Sequence, residues 1–277
     1  MRRFVPPRSV VVGAVGLLLL LAPISSATAA TDLMPDLGMG QLRDFSVETS
    51  AAGRRQLRFT AQIVNVGYGP FEVVATRTTT AAFNPAREEC GRPYYSAPYR
   101  IQQRIYSTGG GFRNQYTPFT LCWGGDGHGH WHMRYLQRYE LLRADGKWMQ
   151  PARSVKSGFC FFDNARYQTG LPEAPQQETY VQEPPTSACR AGEPGAREVK
   201  MGLSVGWGDD YHASLPDQYI DVTGLQPGRY RLKATADPSN WLREAREDNN
   251  VTYAEFDLTA AGIQNLVVGD GAWRQQP

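Results

Sequence analysis

Gln56-Leu57-Arg58-Phe59-Thr60-Ala61-Gln62-Ile63-Val64 alternates polar and apolar side chains. A period of two places Leu57, Phe59, Ala61 and Ile63 on one face of a β-strand. Turn residues Gly67-Tyr68-Gly69-Pro70 separate this run from a second, Phe71-Glu72-Val73-Val74-Ala75. Toward the other end, Gln218 to Val222, turn signals at Gly224 and Pro227-Gly228, and Arg229 to Ala234 read as a hairpin. Few windows carry a period of 3.6 residues, and 19 prolines with 28 glycines punctuate the strands. The expected fold is all-β, a single β-sandwich-like domain with long loops. Two stretches, roughly 79–99 and 165–200, lack periodicity. Loops of that length in a compact domain are usually functional or disordered.

Residues 1–30 read as a secretion signal peptide. Arg2, Arg3 and Arg8 precede an apolar run from Val10 to Ala22, and Ala27-Thr28-Ala29-Ala30 offers a cleavage site. Residues 31–277 then form the domain, expected to be secreted and extracellular. No later segment approaches the roughly 18 apolar residues of a membrane span. A formal charge of +2 over 277 residues makes no electrostatic case for nucleic acid. The expected partner is a small molecule or a protein side chain. Cys90, Cys122, Cys160 and Cys189 are an even set in an exported chain, which predicts two disulfides. Their spacing does not suit a zinc ribbon.

Three of the four histidines fall in His128-Gly129-His130-Trp131-His132. On a strand, positions two apart share a face at roughly 6.5 to 7 Å, so three imidazoles converge on one ion. The expected strand continues with Trp131, Met133, Tyr135, Tyr139 and Leu141 on an apolar odd face. The histidines, Arg134, Arg138 and Glu140 occupy the other face, toward an open site. Imidazole suits copper, zinc, iron or nickel, and copper(II) heads the divalent affinity series. Three histidines and a water equally describe a catalytic zinc.

The sequence around these histidines resembles the lysyl oxidases, copper amine oxidases with a His-x-His-x-His strand. Two further segments match in order. They are Lys156-Ser157-Gly158-Phe159-Cys160-Phe161-Phe162-Asp163, and Asp209-Asp210-Tyr211 followed by Gln218-Tyr219-Ile220-Asp221-Val222-Thr223. The resemblance runs from Asp36 to about Leu258 and is firm at these motifs. It implies copper at His128, His130 and His132, and a covalent lysine tyrosylquinone made from Lys156 and Tyr211. Trp207 and Asp217 stand where members of the family carry cysteines, and Trp123-Gly124-Gly125-Asp126-Gly127 departs from the animal pattern.

The implied reaction is oxidative deamination of a primary amine, a small molecule or a lysyl side chain, with dioxygen. It releases an aldehyde, hydrogen peroxide and ammonia. A base must remove the α-proton. Asp209, Asp210 and His212 are nearest in sequence to Tyr211, and the resemblance retains an acid at Asp209. A structural role for Asp209 and Asp210 in a Gly-rich turn is the alternative. Gly206-Trp207-Gly208-Asp209-Asp210 reads as mobile, so Tyr211 is expected to move more than Lys156. Cys122 precedes the histidines and Cys160 follows Lys156, so pairing Cys90 with Cys122 and Cys160 with Cys189 ties a long loop to each site-bearing strand. Two other connectivities exist.

The resemblance also implies a calcium site at Asp36, Glu244, Asn249 and Asn250, whose oxygens suit that ion. Arg246 stands where an acid is expected, and its guanidinium, paired with Asp36 or Glu244, is the alternative to the cation. Two other functions fit parts of the pattern. A non-enzymatic copper- or zinc-binding β-sandwich explains the histidines but gives no reason for Lys156 or Tyr211. An immunoglobulin-like adhesion domain shares the hairpins.

Overall fold

In a computed structural model, described for Met1 and residues 30–92, 97–124, 128–145, 147, 149–154, 156 and 158–275, the chain is nearly all β. The proposed signal peptide lies outside the described residues except at its two ends. No helix among the described residues is long and apolar enough to cross a membrane.

The strand Arg55–Asn65 organises one sheet. It pairs antiparallel with Leu37–Met39, Arg43–Thr49, Trp207–Tyr211 and Tyr219–Asp221. Its alternation predicts one open face, but Thr60 and Val64 are as fully buried as Phe59 and Ile63. Gly228–Ala236 organises a second sheet between Gln137–Arg143 and Val251–Thr259. The two sheets face each other as a sandwich. Phe59 meets Tyr139 edge-on at 5.2 Å, and Phe45 meets Phe256 at 6.2 Å. Such aromatic pairs contribute about 0.5–1.5 kcal/mol each beyond the area they bury.

A third sheet joins Tyr99–Ser107 to Phe71–Arg77 and Glu198–Leu203. A small fourth sheet places Trp131–Arg134 between Leu121–Trp123 and Gly158–Phe159. This last sheet carries the site, because it sets His132 beside the chain that leads from Lys156.

Three expectations are corrected. Tyr219–Asp221 and Gly228–Ala236 belong to different sheets, so 218–234 is not a hairpin. The histidine strand is short: His128 lies in a turn, and regular pairing spans only Trp131–Arg134. A left-handed residue, Tyr135 at φ 71°, then breaks it from Gln137–Arg143. Tyr135 is accordingly 39% exposed, while Trp131, Met133, Tyr139 and Leu141 are buried as expected. Tyr211 does not sit in a loop, since Trp207–Tyr211 is a strand whose last residue pairs with Ala61.

The two aperiodic stretches are fastened to the sheets by covalent bridges. Cys90 is bonded to Cys122, and Cys160 to Cys189. The bridges span 32 and 29 residues, and closures of this length stabilise a fold by about 2–4 kcal/mol.

Candidate active site

His128, His130 and His132 converge although only His132 stands on a strand. Their ring centroids are 4.7 to 5.7 Å apart, and one nitrogen from each lies within 4.8 Å of the others. Gly129 makes this possible, because its φ of 58° is a left-handed conformation that glycine adopts without strain. Close glycines also hold His132 in place. A Cβ at Gly124 would stand 2.9 Å from its Cε1, and one at Gly158 would stand 2.9 Å from its Cβ. Burial, and then the charge of Lys156, keeps the His132 imidazole well below the usual histidine range. It is therefore neutral and has a lone pair to give a metal.

These rings share a pocket of about 230 Å³ with Lys156, Asp209, Asp210 and Tyr211. Phe162 and Leu215 supply apolar wall, while Asn164 and Gln182 supply amides. The Lys156 ammonium lies 5.3 Å from the centre of the Tyr211 ring and 5.3 Å from that of Phe159. Phe159 packs edge-on against Tyr211 at 4.9 Å. The Tyr211 hydroxyl donates to the backbone carbonyl of Cys160 at 2.7 Å. Burial, reinforced by the neighbouring Asp209 carboxylate, raises the phenol well above its ordinary range.

The three candidates for the base separate by environment. Asp209 is buried, and burial pushes its carboxyl well above the ordinary range. Asn164 donates to its Oδ1 at 2.5 Å. Asp210 is held by the Arg43 guanidinium at 2.6 Å. His212 is exposed, bonded to Ser214, and absent from the pocket wall. The turn role for Asp209 and Asp210 does not describe residues on a paired strand.

Sequence reasoning missed Asn164, whose position directly after the Phe161-Phe162-Asp163 run was a usable signal. It also left Asp163 without a role. That carboxylate accepts from the backbone of Thr179, Tyr180 and Ser204 and from the Ser204 hydroxyl. It thereby knots Thr179, Tyr180 and Ser204 to the chain that follows Lys156.

Away from this pocket's lining, Asp36 and Asn249 meet, as do Glu244 and Asn250. Asn249 donates to Asp36 at 2.8 Å and Asn250 to Glu244 at 3.3 Å. The side-chain carbonyls of both asparagines are buried without a hydrogen-bond donor, as is Oδ1 of Asp237. Arg246 pairs with Asp248 at 2.9 Å rather than with Asp36 or Glu244. Burial raises Asp36 and Asp237, and raises Glu244 well above the carboxylate range. Asp237 was missed because it lies outside any short motif.

The family model for lysyl oxidase matches residues 95–266, more than half of the chain, and the chain belongs to the lysyl oxidase family. It is 26% identical to mouse lysyl oxidase homolog 4 over 183 residues, which are 64% of this chain and 21% of the mouse protein. It is 40% identical to human protein-lysine 6-oxidase over 136 residues, 48% of this chain and 27% of the human protein. A 59-residue segment is 43% identical to rat protein-lysine 6-oxidase, covering 21% of this chain and 14% of that protein. The chain therefore spans well under a third of these relatives' length.

Proposed function

We propose that the chain is an exported copper-dependent amine oxidase, its residues 31–277 one domain, that deaminates primary amines with dioxygen. The observation that carries the reading is a single pocket containing three imidazoles, a lysine and a buried tyrosine, with the ammonium 5.3 Å from the phenol ring. The donor set fits copper, since imidazole nitrogen is a ligand that suits this ion and copper(II) heads the divalent affinity series. His128, His130 and His132 would hold the ion. When bound, copper supplies one-electron chemistry with dioxygen, and a lysine tyrosylquinone made from Lys156 and Tyr211 supplies the electron sink that ordinary side chains lack.

The chain's own residues provide the rest. The Cys160 carbonyl and the Phe159 ring hold Tyr211 in a fixed orientation. Asp209 takes the α-proton of the substrate, because a carboxylate raised by burial is a stronger base than one in water. Phe162 and Leu215 keep water from the reacting atoms on one side. The net change is amine, dioxygen and water to aldehyde, ammonia and hydrogen peroxide.

We assign the Asp36, Glu244, Asn249 and Asn250 cluster to calcium. Unsatisfied buried oxygens and raised carboxyls favour a cation there, and the pairing of Arg246 with Asp248 leaves that role open. The disulfides fit the export reading. A metal-binding module without activity accounts for the histidines but not for Lys156 beside Tyr211. An aerobic assay for peroxide from benzylamine or a lysyl peptide, with copper-loaded protein, separates the two. Release that stops on chelation supports the oxidase, and none above background rejects it.

A further inference from the structure

The Cys90–Cys122 bridge lies directly behind the imidazole cluster. Cys90 Sγ is 3.7 Å from Nδ1 of His132. Both sulfurs and one ring nitrogen of His132 lie within 4.8 Å of one another. The packing keeps this group together: a Cβ at Gly158 would stand 2.9 Å from His132 Cβ and 3.4 Å from Cys122 Sγ. The other bridge, Cys160–Cys189, belongs to no such cluster among the described residues.

We propose that reduction of the Cys90–Cys122 disulfide creates a second metal site, Cys90, Cys122 and His132, for a thiolate-seeking divalent ion such as zinc. Two thiolates and one imidazole are a common zinc donor set, with a fourth position left for water. Around a tetrahedral zinc at roughly 2.3 Å per bond the sulfurs stand about 3.8 Å apart. The Cα atoms of the two cysteines are 5.0 Å apart, so side-chain rotation without backbone movement achieves this spread.

The reductant is a dithiol. Its thiolate attacks Sγ of Cys90, which is partly exposed whereas Cys122 is fully buried, and Cys122 leaves as thiolate. The second thiol of the reagent then displaces Cys90 and closes the reagent into its own disulfide. Two electrons and two protons pass to the protein, and zinc binding releases the thiol protons to solvent. The new site shares His132 with the imidazole trio, so a reducing compartment presents this chain with a different metal preference from an oxidising one. The inference rests on the side-chain cluster and is independent of the oxidase reading.

The test uses the full chain, reduced anaerobically with a dithiol and desalted. Alkylation of each cysteine by iodoacetamide is followed by peptide mass with and without zinc. At about ten times its dissociation constant, zinc lowers the free-thiol fraction, and so the alkylation rate at Cys90 and Cys122, about tenfold. Cys160 and Cys189 should react at unchanged rates, and His132→Gln should weaken the protection. Equal rates with and without zinc at Cys90 and Cys122, equal protection of all four cysteines, or full protection in His132→Gln would each overturn the proposal.

Discussion

The ammonium of Lys156 stands 5.3 Å from the centre of the Tyr211 ring, although 54 residues separate the two in the chain. The pair meets because Trp207–Tyr211 joins the central sheet while Gly158–Phe159 joins the histidine sheet, and Phe159 bridges the gap. Tyr211→Phe removes the oxygen on which quinone formation depends and leaves the packing almost unchanged. We expect normal copper content, no quinone absorbance and no peroxide release. The lost hydrogen bond to the Cys160 carbonyl should cost about 1 kcal/mol, read as a small drop in melting temperature. Amine oxidation at the parental rate would remove Tyr211 from the mechanism.

Asp209→Asn should lower kcat by about 100- to 10,000-fold, the usual contribution of a positioned base, with copper retained. The raised carboxyl also sets the pH dependence. Activity needs the ionised form, so kcat/KM should rise with pH through a value above the ordinary carboxylate range. Asn164 donates to the charged form, so Asn164→Ala should raise that value further and move the rising limb to higher pH. An unmoved limb would mean that another group is the base.

Glycines confine His132, which makes them sensitive metal-site positions although they carry no ligand atom of their own. Gly124→Ala and Gly158→Ala each place a methyl 2.9 Å from the His132 side chain. Both should weaken copper binding measured by competitive chelator titration, while a Gly195→Ala control should leave the metal unaffected, since that position faces open space. Unchanged affinity in both variants would show that His132 is not a ligand.

Much of this was legible in residue order, and the limits had physical causes. The all-β class followed from runs such as Gln56 to Val64, whose side chains alternate. Which sheet each strand joins did not follow, because partners of Gly228–Ala236 are set by long-range packing and not by the nearby turn. The histidine cluster was evident, but its backbone was not, since Gly129 and Tyr135 at positive φ interrupt a pattern that the side chains alone continue. Lys156 and Tyr211 emerged only through resemblance. Asn164 acts through a tertiary contact with Asp209, and Asp237 through a turn contact with the Leu242 backbone, neither of which a strand period encodes.

The acidic cluster yields a stability test. Burial raises Asp36, Asp237 and Glu244, so without a cation these groups bind protons more tightly in the folded state than in the unfolded chain. The cluster's contribution to stability in chelator should be fully present below the unfolded carboxyl values, about pH 4, and be lost as pH rises through the elevated folded values. Calcium should cancel the fall, so its effect on melting temperature grows with pH. Parallel melting curves with calcium and with chelator from pH 5 to 8 would rule out the site.

The most direct measurement is the mass of the peptides that contain Lys156 and Tyr211 after aerobic copper loading and proteolysis. Both separate peptides should be depleted and replaced by one joined species carrying the two residues. The joined species should be absent from Lys156→Ala, Tyr211→Phe and protein held without copper. Recovery of both peptides unlinked and unmodified from protein that is releasing peroxide from an amine would contradict a cofactor made from Lys156 and Tyr211.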